Sequence, residues 1–314
     1  MQDVKLLLVL TENDALVPPR DVAGLVELAV QAEACGIDGV MVSEHVLLGP
    51  SADRDGAMVN RRDYAAPGNQ SPATGWPSPL VLLSAIAQAT TRLRLVAGAI
   101  IAPLRHPLLL AKELGTLDLL SRGRLVVLPT VSWHRDEYDA LGVPFTERGR
   151  ILDEQLEVLA KAWGPYPVRH DGPRFPFGDV WLEPGAWSTQ GPPLWFGGSS
   201  MHPALARRIA RYGHGLNPFG SLTDDDLQVL AAALHAEGRA MDELELVGGI
   251  RGTFHGPDDV ADLDRALESV PHQLARGFTT VCFKPAMFVR RTGELPGLYA
   301  ELTEKVARLS GGRG

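Results

Sequence analysis

Strand-like and helix-like stretches alternate along this chain from end to end, and that alternation constrains its fold more than any other feature. Lys5 to Leu10 is a continuous apolar run, as expected for a strand covered on both faces. Asp21 to Cys35 follows at helical spacing, with Val22, Leu25, Val26, Ala29 and Val30 on one side, and Gly36 ends it before a strand over 39–42. The same reading predicts helices over 80–90, 107–120, 148–163, 202–212, 223–238 and 258–275, and from 295 onward. Between them it predicts strands over 93–101, 124–131, 193–196, 214–217, 244–251 and 278–283.

These are eight strand-then-helix units in 314 residues, which predicts an α/β chain closed into a single (β/α)8 TIM barrel. A doubly wound open sheet is the rival. It would carry a glycine-rich turn after the first strand, where this chain has Thr11-Glu12-Asn13-Asp14. No repeat, low-complexity tract or linker divides the sequence, so residues 1–314 are expected to form one domain.

Composition narrows the function. An apolar fraction of 45% with 22% charged residues is that of a globular protein. The longest apolar runs, such as Leu6 to Leu10 and Leu80 to Leu83, fall far short of the roughly 20 residues that span a bilayer. The first residues carry no basic leader, so a cytoplasmic location is expected and no membrane partner. A net charge of −8 argues against nucleic acid. Cys35 and Cys282 match neither a metal spacing nor a redox pair and read as small core residues. No G-x-S-x-G, H-E-x-x-H or P-loop occurs, and no metal site is expected.

Two connections exceed ordinary barrel loops: Gly49 to Trp76 after the second strand, and Gly164 to Pro192 before the fifth. The first leaves the C-terminal end of a strand, the face where barrels carry their chemistry. With Asn60, Tyr64, Gln70, Trp76 and several arginines it suits a substrate lid.

Ser43-Glu44-His45 directly follows the second strand, so its side chains are candidates for the barrel mouth. A histidine there can exchange a proton near neutral pH, which makes His45, with Glu44, the candidate catalytic pair and Ser43 a candidate ligand contact. Gly197-Gly198-Ser199-Ser200 ends a strand and opens a helix, a context that can cradle phosphate on backbone N–H groups and hydroxyls. A tight turn with a serine cap is the alternative. At the end of the fourth strand, Thr130 and Ser132 are placed to bond a polar ligand edge and Trp133 to wall the pocket. Pro129 sits oddly in a central strand, having no N–H for the ladder. His134 and Tyr138 read as supporting or surface residues, and His106 and His202 as helix caps.

The stretches Val42 to His45, Arg94 to Leu120, Trp133 to Glu154 and Leu194 to Ser199 resemble the luciferase-like monooxygenase superfamily, in the right order over most of residues 1–220. Within it the arrangement looks most like oxidoreductases that use coenzyme F420. The resemblance implies a deazaflavin at the C-terminal mouth, its ring against a third-strand bulge at Gly98, Ala99, Ile100 and Ile101, where relatives often carry a non-proline cis peptide. It implies phosphate at Gly197 to Ser200, His45 as acid or base beside the ring, hydride transfer to or from a small organic substrate, and a homodimer. The alternative is an FMNH2-dependent monooxygenase that uses O2 and a partner flavin reductase. A non-catalytic flavin binder is the third reading. Relatives carry small, glycine-rich residues where this chain has Leu128-Pro129-Thr130-Val131-Ser132, and bulk there would narrow the cofactor site.

Overall fold

The structure, a computed structural model, describes residues 4–311. In chain order the first half contains β1 (Lys5–Val9), α1 (Val22–Ala34), β2 (Gly39–Val42), α2 (Pro79–Ala89), β3 (Arg94–Ile101), α3 (Pro107–Ser121), β4 (Leu125–Thr130), α4 (Arg135–Ala140) and α5 (Arg148–Leu159). A hairpin of β5 (Val168–His170) and β6 (Phe177–Val180) leads to β7 (Trp195–Phe196), α6 (Pro203–Tyr212), β8 (Gly215–Leu216), α7 (Asp224–Ala236) and β9 (Glu245–Gly249). Then come α8 (Leu263–Leu267), α9 (Val270–Ala275), β10 (Thr280–Phe283) and α10 (Leu295–Gly311).

Eight strands pair in parallel in the order β4-β3-β2-β1-β10-β9-β8-β7. A parallel bridge between Val127 and Leu194, with Val127 N donating to Pro193 O at 3.0 Å, joins β4 to β7 and closes the ring. The expected (β/α)8 barrel is therefore present.

Alternation along each strand divides the core in two. Leu6, Leu8, Val40, Val42, Leu95, Ala97, Val127 and Phe283 face the helices. Leu7, Val9, Val96, Val126, Leu128, Trp195, Val247 and Cys282 fill the barrel interior. Both faces are apolar, which is why the strands read as unbroken hydrophobic runs. At the N-terminal end of the barrel Arg94 donates to both oxygens of Glu245, at 2.8 and 2.6 Å, under the Trp195 ring.

Helix starts follow local chemistry. The Asp21 carboxylate accepts from Gly24 N, prolines open α2, α3 and α6, and Thr223 and Asp226 cap α7 reciprocally. His106 and His202 cap α3 and α6, as expected.

Three features differ from the sequence reading. The helix expected over 258–275 is instead two short ones, α8 and α9, because Asp262 caps the first and Pro271 opens the second. Pro129 is accommodated inside β4 because β3 shifts register between Gly98 and Ile100, pairing Ile100 with Pro129 and leaving Ala99 bulged. The 164–192 connection carries the β5–β6 hairpin and lies along α3, where Lys112 donates to Glu183 O and Trp187 N to Asp118. Among the described residues no helix is long and apolar enough to cross a membrane.

Candidate active site

The interior alternation continues one step past the core and sets the mouth. Above Val9 stands Thr11, above Met41 Ser43, above Leu128 Thr130, above Trp195 Gly197 and above Cys282 Lys284. Thr11 and Ser43 hydroxyls are hydrogen-bonded at 2.5 Å, tying the ends of β1 and β2 together.

His45 is buried at this mouth, with Trp76 and Trp133 edge-on to its ring at centroid distances of 5.0 and 5.6 Å. Its Nδ1–H donates to Glu137 Oε1 at 2.9 Å, and Val46 N donates to the same oxygen at 3.0 Å. A carboxylate can only accept, so the bond fixes the proton on Nδ1 and leaves Nε2 as the free ring nitrogen. Ser132, whose backbone is left-handed at φ 55°, brings its hydroxyl within 3.5 Å of Glu137 Oε2. His45, Ser132, Trp76 and Trp133 are thus brought together at one end of the barrel.

Glu44 departs from expectation. Its carboxylate accepts from Ile101 N at 2.8 Å and from two Arg105 nitrogens at 2.9 and 2.5 Å. Both oxygens are committed to holding the end of β3, which makes Glu44 a positioning residue rather than a proton carrier. Ile100 is fully buried among the residues facing the helices, so its side chain is turned away from the mouth. Ala99 faces inward instead, and the Gly98–Ala99 peptide is cis.

At the end of β7 the glycines have a packing role. A Cβ on Gly197 would sit 2.1 Å from Asn217 O, and on Gly198 3.0 Å from Leu205. Ser199 and Ser200 are exposed just before α6. The neighbouring amides of Met201 and Leu205 already donate to Asp226 and the His202 ring, so fewer donors are free for an anion than a bare helix start would offer.

The 49–76 loop is a fixed roof. Gly49 N donates to His134 Nε2 at 2.8 Å and Ser51 N to Asp136 at 2.9 Å, fastening one end to α4 and the residue preceding it. Across the mouth, Arg62 donates to Ala286 O and Val289 O at 3.0 and 2.8 Å, and Asn60 to Gly256 O and Asp259 O at 2.8 and 3.0 Å. Arg251 pairs with Asp63, Lys284 Nζ donates to Asp63 O, and Ala65 N donates to Glu12. Tyr64, carried by the strap of residues 60–65 in this loop, packs against the barrel-interior cluster, as Met41 and Ala99 do.

Glu137, Glu12 and Lys284 escaped sequence reasoning, whereas His134 reads from the sequence as a supporting or surface residue. Glu137 and His134 are fully buried, and burial holds the His134 ring below its ordinary pKa, neighbouring Glu137 and Asp136 opposing the shift. Burial pushes the Glu12 carboxyl upward and the Lys284 ammonium downward. Lys284 left a faint signal, as one of only five lysines in the chain and in phase with Cys282. Burial also raises the Cys282 thiol to about 12, in keeping with its reading as a core residue.

Comparison with known proteins agrees with this fold. An uncharacterized protein of Mycobacterium tuberculosis is 34% identical over 178 residues, a stretch covering 56% of this chain and 59% of that one. Among solved structures, a monooxygenase from Streptomyces bottropensis superposes with a TM-score of 0.65 at 21% identity, covering 97% of this chain and 96% of its own. The coenzyme F420 dependent tetrahydromethanopterin reductase from Methanopyrus kandleri gives 0.64 at 17% identity, covering 99% and 98%. A family profile described as luciferase-like monooxygenase matches residues 6–311, and the chain belongs to that family.

Proposed function

We propose that the chain is an oxidoreductase that binds coenzyme F420 across the barrel mouth and exchanges a hydride with a small organic substrate. The observation that carries this reading is His45, buried at the C-terminal mouth with Nε2 free, its ring fixed by Glu137 and walled by two tryptophans. Two buried N–H groups beside it, Trp76 Nε1 and His134 Nδ1, have no partner among the described residues, which suits a ring system rich in acceptor atoms. Ala99, at the bulge, offers a small side chain for such a ring to pack on, and Thr130 and Ser132 lie on the facing edge.

When bound, the deazaflavin supplies the carbon that gives or takes the hydride. The protein orients both reactants, excludes water with the 60–65 strap, and moves the accompanying proton at His45 Nε2. Ser199 and Ser200 are the hydroxyls available to the cofactor's phosphate.

One observation favours a second reading. The strap is anchored on both sides of the mouth, and such shielding suits an FMNH2-dependent monooxygenase supplied by a partner reductase. Fluorescence titration of the cofactor-free protein with F420 and, separately, with FMN decides between them. Tight binding of F420 alone supports hydride transfer, preference for FMN supports the oxygenase, and binding of neither defeats both. Loss of turnover in His45→Ala with cofactor affinity retained is the expected result for the proton carrier.

A further inference from the structure

Glu12, Tyr64 and Lys284 gather on the wall formed by the ends of β1 and β10, opposite β4 and β7. Glu12 follows β1 with its backbone left-handed at φ 62°, a conformation a non-glycine residue adopts at a cost and that clusters at functional sites. That geometry turns its carboxyl toward the strap, where Oε1 accepts from Ala65 N at 3.0 Å. Two residues earlier in the strap, the Asp63 carbonyl accepts from Lys284 Nζ at 2.5 Å, and the same ammonium stands 5.7 Å from the Tyr64 ring centroid. Glu12 and Lys284 therefore grip the strap on either side of Tyr64 and point its ring onto the interior core.

These contacts leave two polar atoms over. Glu12 Oε2 and the Tyr64 hydroxyl have no hydrogen-bond partner among the described residues, and both side chains keep partial solvent access. Lys284 is wholly covered behind them, with Asp63 O as its acceptor and no carboxylate within ion-pair distance among the described residues, and burial lowers its pKa. Burial raises the Glu12 carboxyl above its ordinary pKa, with Lys284 opposing the shift, and raises the Tyr64 phenol well above its own.

We propose that the Tyr64 hydroxyl and the Glu12 carboxyl form an oxyanion-binding pair for the carbonyl oxygen of the substrate, with Lys284 as the positioning residue behind them. This rests on the oxidoreductase reading and narrows its substrate to aldehydes and ketones. Any nucleophile added to a carbonyl carbon, hydride included, moves the C=O electron pair onto the oxygen. A phenol O–H, and a carboxyl O–H in the protonated form that burial favours, can each donate to that charge. The pair serves either cofactor, because both chemistries begin by addition at that carbon.

The test uses the whole cofactor-free chain and 4-nitrophenol, whose visible absorbance reports whether it is bound as phenolate. Wild type is expected to bind the phenolate saturably at neutral pH. Tyr64→Phe, which leaves the strap contacts intact, should weaken binding about tenfold, the size of one charge-assisted hydrogen bond. Glu12→Gln, which still accepts from Ala65 N and still donates, should retain most of the affinity, whereas Lys284→Met should move the bound probe toward neutral phenol. Binding as neutral phenol, no saturable binding, or equal affinity in Tyr64→Phe overturns the proposal. The F420 and FMN titrations are separate, so failure of the cofactor reading and failure of this pair give different results.

Discussion

Glu137 Oε1 lies 2.9 Å from His45 Nδ1, and the two residues stand 92 positions apart, one just past β2 and the other on α4. Because Glu137 is fully buried and also accepts from Val46 N, its orientation is set by the backbone of the loop it serves. The pair makes His45 a histidine of defined tautomer before any ligand arrives, which is the preorganisation proton transfer needs.

Glu137→Gln should disturb that definition while preserving the fold. The amide oxygen can still accept, but its NH2 competes for Nδ1 and the carboxylate charge is gone. Nitrogen NMR of the imidazole should change from a single Nδ1–H tautomer to a mixture. Glu137→Ala leaves the Val46 amide and the ring N–H without acceptors, and should cost about 2–3 kcal/mol in denaturant unfolding. An unchanged tautomer in Glu137→Gln would remove Glu137 from the proton-handling machinery.

Arg105 protects a buried charge. The Glu44 side chain is 2% exposed and has Arg105 as its counter-ion. Arg105→Met should destabilise by about 3 kcal/mol, the low end for an orphaned buried charge because Arg105 is itself partly solvated. Adding Glu44→Gln should recover most of this loss, since the amide oxygen still accepts from Ile101 N and no charge remains unpaired. Urea titrations of the two variants measure the difference.

His134 gives the roof a pH dependence. Its Nε2 accepts from Gly49 N, so protonating it removes an anchor of the 49–76 loop. Burial holds its folded pKa below the ordinary 6.5, with Glu137 and Asp136 working against the shift and His45 adding to it. The unfolded chain therefore binds more protons below 6.5. The contribution to stability is complete above that value and is lost as pH falls through it toward the folded pKa. Hydrogen exchange at the Gly49 amide, corrected for its intrinsic rate, should accelerate as pH drops from 7 to about 5. His134→Gln should flatten that dependence.

The barrel was legible because its determinants are local. Runs such as Lys5 to Leu10 and the capping residues Asp21, His106 and His202 act within a few positions of themselves. The segment 258–275 does not form the one helix its sequence suggests because the stretch before α8 serves a distant purpose. Its Gly256 and Asp259 carbonyls hold Asn60 of the strap, and Ala261 N donates to Met287 O. The site was half legible for the same reason. His45, Ser132 and Trp133 follow strand ends, a position that can be read along the chain. Glu137, Glu12 and Lys284 acquire meaning only from partners 53 to 221 positions away. Glu44 reads as catalytic from the sequence because its proximity to His45 says nothing of Arg105, and Ile100 reads as a cofactor contact because the sequence does not show that the bulge turns its side chain toward the helices.

The Gly197-Gly198 pair separates a packing requirement from a ligand requirement. Since a Cβ on Gly197 would lie 2.1 Å from the Asn217 carbonyl, Gly197→Ala must push β7 and β8 apart where they are only two residues long. Overpacking against backbone cannot be relieved by a rotamer change, so the loss should be about 3 kcal/mol or more, present without any cofactor. Gly297→Ala is the counter-example. That residue is exposed on α10 with no atom within 4 Å of the added Cβ, so removing helix glycine should raise stability by about 0.5–1 kcal/mol. Ser199→Ala with Ser200→Ala should leave stability within about 0.5 kcal/mol, as both are exposed, while weakening cofactor binding. If the double serine variant instead unfolds like Gly197→Ala, the whole β7–α6 turn is structural and the phosphate must bind elsewhere on the mouth.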